Sequence, residues 1–141
     1  MNTKTIIAAV VGGVTAFLLG WLIWGVLLMD YFNENIMQYE GLKKEPPMIP
    51  LIFVANLANA VLFAWLFNRM NIRTLNAGFQ AGALIGFLLE LHDVVMDYAF
   101  LNWFENAAVI AVELVVTSVF AGIIGAVIAW MLGRGTKTDY A

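Results

Sequence analysis

Four long runs of apolar residues, separated by short polar stretches, organise this chain. They cover about residues 5–31, 49–69, 74–100 and 106–133. Each reaches the roughly 20 residues that an α-helix needs to cross about 30 Å of hydrocarbon at 1.5 Å per residue. None shows the apolar–polar alternation of a transmembrane strand, and a helix satisfies its own backbone hydrogen bonds in lipid. The pattern predicts an all-α membrane protein with four transmembrane helices in a single domain.

The polar stretches predict the connections. Asn33 to Pro47 forms a loop ending in Pro46-Pro47, and Pro50 falls in the first turn of the next helix, where its missing N–H is tolerated. Asn71 to Leu75 reads as a tight turn. Asn102 to Asn106 is tighter still, which makes the last two helices an antiparallel hairpin. The first run, Thr5 to Phe32, is longer than the 7–15 apolar residues of a secretory signal, and three more spans follow it. It therefore reads as a retained first span.

Two stretches recur in order. Met29-Asp30-Tyr31 returns as Met96-Asp97-Tyr98, with Ala16 and Ala83 at the same offset. Ala64-Trp65 and Arg69 return as Ala129-Trp130 and Arg134 at an offset shorter by two residues, as a shorter second loop requires. These matches predict a two-helix hairpin duplicated in parallel orientation.

Composition strengthens the membrane assignment. The 141 residues are 62% apolar and 12% charged, with a net charge of −3. A soluble domain carries about 25% charged residues, so the solvent for this surface is lipid. No basic stretch is present to neutralise phosphates, which excludes a nucleic-acid partner. The absence of cysteine excludes disulfides, thiolate metal sites and cysteine nucleophiles. Lys4, Arg69, Arg73, Arg134 and Lys137 fall on one side and only Lys43 and Lys44 on the other. Basic residues favour the cytoplasmic face, so both termini are expected inside, in the cell inner (cytoplasmic) membrane. The outer face then carries Asp30, Glu34, Glu40, Glu45, Asp97 and Glu105. Tyr31, Tyr39, Tyr98 and Trp103 suit an interfacial belt, and Trp21, Trp24, Trp65 and Trp130 read as interfacial or lipid-facing.

The segment Ala16-Phe17-Leu18-Leu19-Gly20-Trp21-Leu22-Ile23-Trp24-Gly25 resembles the first-helix motif of an uncharacterised bacterial family of four-helix integral membrane proteins, described only as a domain of unknown function. Ala81-Gly82-Ala83-Leu84-Ile85-Gly86-Phe87 and Gly125-Ala126-Val127-Ile128-Ala129-Trp130 are similar to its third-helix opening and its close. The likeness covers nearly the whole chain in small, apolar motifs. It departs from the family at Val26, which stands where a proline-containing stretch is usual, and at Glu90 and Asp93, where apolar residues are commoner. The resemblance implies the architecture and no activity.

Candidate chemistry concentrates in the third span. Glu90, Asp93 and Asp97 are spaced three and four apart, on one helical stripe that Gly82 and Gly86 continue. Glycines permit close helix approach in lipid, so this stripe is expected to face the bundle or a second subunit. Counting 1.5 Å per residue from the span ends puts Glu90, Asp93, Glu113 and Asn56 at about one depth in the outer half, with Asn59 and Thr117 a turn further in. His92 shares that depth but lies about 200° round the helix from Glu90. A membrane-centred carboxylate costs roughly 2.5–3.5 kcal/mol, and no Lys or Arg lies within the spans, leaving His92 as the internal cationic candidate. Carboxylates with an amide oxygen are hard-cation ligands, and paired acids suit a proton relay. Glu90, Asp93, Glu113, Asn56, His92 and Asp97 are therefore the candidate ion or proton site. Glu90, Asp93 and Glu113 are candidate ligands for a divalent cation such as calcium, magnesium or manganese, since a lone histidine disfavours copper and zinc. The plainer roles are interhelical hydrogen bonding for Glu90, Glu113, Asn56 and Asn59, and a solvated helix end for Asp93 and Asp97.

No HExxH pair or phosphate-binding glycine loop is present, and the single serine, Ser118, has no evident base. Three functional classes remain. They are a cation- or proton-coupled transporter or channel, an accessory subunit packed against other membrane subunits, and an intramembrane enzyme acting on a lipid with His92 as base. The small-residue faces suggest a homodimer or small homo-oligomer in the lipid bilayer.

Overall fold

The computed structural model describes residues 2–134; Lys137, counted above among the basic residues, lies outside them. Its elements are helical: α1 (Thr3–Leu22) running into a π-helical turn (Ile23–Leu27), α2 (Met29–Asn35), α3 (Ile49–Arg69), α4 (Leu75–Phe100) and α5 (Ala107–Gly133). Four segments are long and apolar enough to span a bilayer: Thr3–Leu27, Ile49–Arg69, Leu75–Phe100 and Ala107–Gly133. The chain is a multi-pass membrane protein.

Capping sets the helix starts. Asn2 Oδ1 accepts from the Thr5 amide at 2.9 Å and from its hydroxyl at 2.7 Å. The Thr74 hydroxyl and the Asn106 side chain accept from Ala77 N and Val109 N, each at 3.3 Å. A short polar side chain placed before an apolar run satisfies amides that the helix itself leaves unpaired.

The first span departs from the expected continuous helix over 5–31. A π turn widens it at Ile23–Leu27, and Leu28 leaves the helical region at φ −113°, ψ 6°. The chain restarts as the short α2, so the two Met-Asp-Tyr copies sit differently. Met29 opens α2, whereas Met96 lies within α4. A π turn adds a residue to one turn of the ladder and so rotates the side chains that follow it.

Packing is by hairpins. α1 runs against α3 and α4 against α5, and α1 and α3 both touch α5 to join the pairs. α3 and α4 follow each other in sequence yet barely touch along their lengths. The core lies toward the end carrying the α3–α4 turn, here called the turn end. It joins Ala8, Ala9 and Ala16 of α1 to Ala60, Phe63, Ala64 and Phe67 of α3 and Ile124, Ile128 and Leu132 of α5. Arg73 closes this end, donating to Leu132 O at 3.2 Å and Asn68 Oδ1 at 2.9 Å. Arg69 and Arg134 stack over Trp65 and Trp130, with guanidinium-to-ring distances of 5.6 and 4.0 Å.

The tightest contact is between α4 and α5. A Cβ added to Gly82 would strike the Ala121 carbonyl oxygen and come within 3.1 Å of Gly125 Cα; one added to Gly86 would strike the Ala121 methyl. Backbones approach this closely only where side chains are missing. The glycine stripe of α4 is therefore spent inside the chain, on α5, and does not provide the self-association surface anticipated above.

At the opposite, loop end, the two connections pair with each other. Ile36 and Phe104 form an antiparallel bridge. Met37 N donates to Trp103 O at 2.9 Å and Glu105 N to Asn35 O at 3.2 Å. Asn106 Nδ2 donates to Asn35 Oδ1 at 3.1 Å and Tyr39 OH to Asn102 O at 3.1 Å.

Gly82→Ala is expected to lower stability by about 1–3 kcal/mol, the usual range for overpacking, because the obstructing atoms are backbone. Gly20→Ala, whose Cβ would meet Phe120 at an ordinary 3.7 Å, is the control and should leave the unfolding temperature in detergent unchanged or slightly raised.

Candidate functional site

The α4–α5 contact aligns the acids. Beyond Gly86 the same side of α4 brings up Glu90, and α5 brings Glu113, about six residues or 9 Å from its start. Both carboxyls are half-buried, and each lies within electrostatic reach of the other. Asp93 and Asp97 act on Glu90 from the turns beyond it.

Glu113 has a partner that the sequence reading assigned elsewhere. Trp24 Nε1 donates to its Oε1 at 3.2 Å, with Oε2 at 3.5 Å. Trp24 sits in the π turn and meets Phe120 edge-on, the ring centroids 5.0 Å apart. This corrects its reading as interfacial or lipid-facing. The available signal was its spacing, four residues beyond Gly20 on the small-residue side of α1.

A cavity of about 510 Å³ opens over this pair toward the loop end. Glu90, Asp93, Asp97 and Glu113 line it, together with Trp24 and, from the paired connections, Trp103 and Phe104. Lys43 also reaches it, its Nζ held by Asn33 Oδ1 at 2.6 Å. A cation therefore borders the acids after all, contributed by a loop and not by a span. Periodicity carries no information about where such a loop folds, so Lys43 was not legible in advance.

A second cavity, about 290 Å³, lies laterally between α3, α4 and α5. Glu90 and Asp93 line this one too, opposite Asn56 and Asn59, with Thr117 on its wall. The Thr117 hydroxyl is buried, and Glu90 stands beside it. Asn56 directs its Nδ2 to Ile52 O on its own helix at 2.9 Å. Asn56 thus shares a cavity with Glu90 and Asp93 but not with Glu113. A third, mostly apolar groove of about 460 Å³ runs between α1 and α3 and shares Trp24, Asn56 and Phe120 with its neighbours.

No protein family, curated protein or solved structure matches this chain. Its chemistry follows from its own geometry.

One candidate lies apart from the acid pair. His92 borders neither acid cavity; it pairs on the outside of α4 with Asp93, Nδ1 to Oδ1 at 3.0 Å, both side chains more than 70% exposed. Their adjacency in sequence allows this contact, while the helical angle keeps His92 away from Glu90 and Glu113. Among the described residues, no group of three His, Cys, Asp or Glu side chains is disposed to hold a metal ion. Asp93 pairs with His92, and Glu113 accepts from Trp24.

What remains is a pair of half-buried carboxylates at the floor of an open, acidic and aromatic cavity, one of them fixed by an indole N–H. The Trp24–Glu113 bond is testable by a double-mutant cycle. Trp24→Phe should destabilise the wild type by about 1–3 kcal/mol, the penalty for an acceptor left unpaired, but cost much less in a Glu113→Leu background. Reversible unfolding in mixed detergent would measure all four proteins.

Proposed function

We propose that this protein is a small proton- or cation-coupled membrane carrier that loads its ion on Glu113 and Glu90 from the loop end. The observation that carries the reading is the pair itself: two carboxylates within electrostatic reach, inside the spans, at the floor of a cavity of about 510 Å³. An intramembrane acid facing a cavity marks an ion or proton pathway by default. Each residue has a distinct part. Glu113 is the inner acceptor, oriented by Trp24. Glu90 connects the open cavity to the lateral one, and Asp93 and Asp97 attract cations at the mouth. Asn56 offers a neutral oxygen across the lateral cavity.

The turn end faces the cytoplasm in this reading. Lys4, Arg69, Arg73 and Arg134 gather there, against Lys43 and Lys44 opposite. That supports the cell inner membrane, with ion entry from outside. The two Arg-over-Trp stacks at equivalent ends of α3 and α5 support duplication of a hairpin, and the architecture is in keeping with the uncharacterised four-helix family that the motifs resemble.

A second reading is supported by one observation. The turn half is filled by Phe67, Ile128 and Leu132, all fully buried, so passage needs a rearrangement of this layer. An accessory subunit of a larger membrane complex needs none. The lipid-modifying enzyme loses its support with His92, which borders neither acid cavity.

Reconstitution into liposomes with an imposed pH gradient and a lumenal pH dye separates these readings. The wild type should dissipate the gradient, and Glu113→Gln and Glu90→Gln should each reduce the rate at least about tenfold, the scale of lost proton-transfer groups, with the unfolding temperature preserved. Dissipation no faster than in empty liposomes would overturn the carrier reading and favour the accessory one.

A further inference from the structure

The α3–α4 seam is the one long boundary between consecutive spans that the chain does not close. The polar groups facing it are also poorly satisfied. Asn59 is exposed and its amide makes no hydrogen bond. It stands ten residues from Ile49, about 15 Å along α3, which is the middle of a hydrocarbon layer about 30 Å thick. One turn toward the loop end, Asn56 spends its Nδ2 on its own helix and leaves Oδ1 without a donor. Across the lateral cavity the Thr117 hydroxyl is buried beside Glu90. Two other polar side chains in the spans are paired: Thr15 donates to Val11 O at 2.8 Å, and Glu113 accepts from Trp24. Acyl chains offer neither donors nor acceptors at this depth, so an exposed amide there is costly unless another polar group meets it.

We propose that the α3–α4 seam is the interface of a homodimer, with Asn59 at its centre meeting Asn59 of a second copy across a two-fold axis. The argument for a second copy is self-complementarity. A carboxamide carries both donors and an acceptor, and a two-fold interface presents the same patch to itself, so each amide supplies what the other lacks. Exposed Ala55 and Leu62 flank Asn59 on α3 and provide apolar contact around the polar centre. The usual small-residue route to helix association is closed, because the α4 glycines are already packed on α5. This interface does not depend on the carrier reading.

The absence of native cysteine makes the test direct. Ala55→Cys and Leu62→Cys, on either side of Asn59, are oxidised in native membranes beside Leu18→Cys and Val119→Cys, exposed positions of similar depth on α1 and α5. Disulfide-linked homodimers are expected from the first two and not from the controls. Adding Asn59→Leu to Leu62→Cys should lower the yield. Dilution FRET in bicelles should show Asn59→Leu weakening dimerisation about three- to thirty-fold, the range for interhelical amide bonds in membranes, with helical circular dichroism unchanged. The proposal is overturned by equal cross-linking at all four positions, by a monomer at every protein-to-lipid ratio, by undiminished dimerisation of Asn59→Leu, or by cross-links joining Leu62→Cys to a different chain.

Discussion

Close backbone contact between α4 and α5 underlies the rest of the arrangement. In lipid, apolar side chains gain nothing by meeting each other in place of acyl chains, so helices associate through dispersion at short range. Gly78, Gly82 and Gly86 let α4 lie on the carbonyls and methyls of Ala121, Gly125 and Ala129. That contact fixes the rotation and height of α4 relative to α5, and with them the positions of Glu90 and Glu113. It also exhausts the small-residue face of α4. The seam toward α3 is left open, and the lateral cavity is a consequence.

The two halves of the molecule handle polarity differently. The turn half is a solid core of Phe67, Ile128, Leu132 and alanines, closed by Arg73 on the end of α5. The loop half is loosely filled and polar. There the first span gives up its regular ladder in a π turn, a distortion that recurs at functional sites. Its effect here is to direct Trp24 onto Glu113, supplying a neutral donor to a half-buried carboxyl group. The paired connections then roof the cavity with Trp103 and Phe104, and a lysine from the first loop comes to its rim. The result is a cavity with aromatic walls and acids at its floor.

The candidate site was partly visible in the residues alone. Three-and-four spacing put Glu90, Asp93 and Asp97 on one stripe, and counting along the spans placed Glu113 and Asn56 at a matching depth. Depth and face are one-dimensional properties, available from a rise of 1.5 Å and a turn of 3.6 residues. Which neighbour each face meets is not. The glycine and acid stripe was read as one surface, yet its glycines pack on α5 while Asp93 and Asp97 stand exposed. Asn56 reaches the level of Glu113 but is separated from it, since α3 meets α5 over a shorter length than α4 does.

Charge depletion and apolar runs of about 20 residues determined by themselves that the chain is helical and crosses a membrane several times, because a bilayer leaves the backbone no other solution. Polar caps at Asn2, Thr74 and Asn106, and the short connections, likewise belong to the sequence, since they act within a few residues. Tertiary structure alone decided that Trp24 turns inward and that Lys43 folds over the acids. Each of these depends on a distortion of the helix, the fold of a loop or the rotation of one helix against another. Those are set by contacts between residues far apart in the chain, which periodicity along a single helix does not encode.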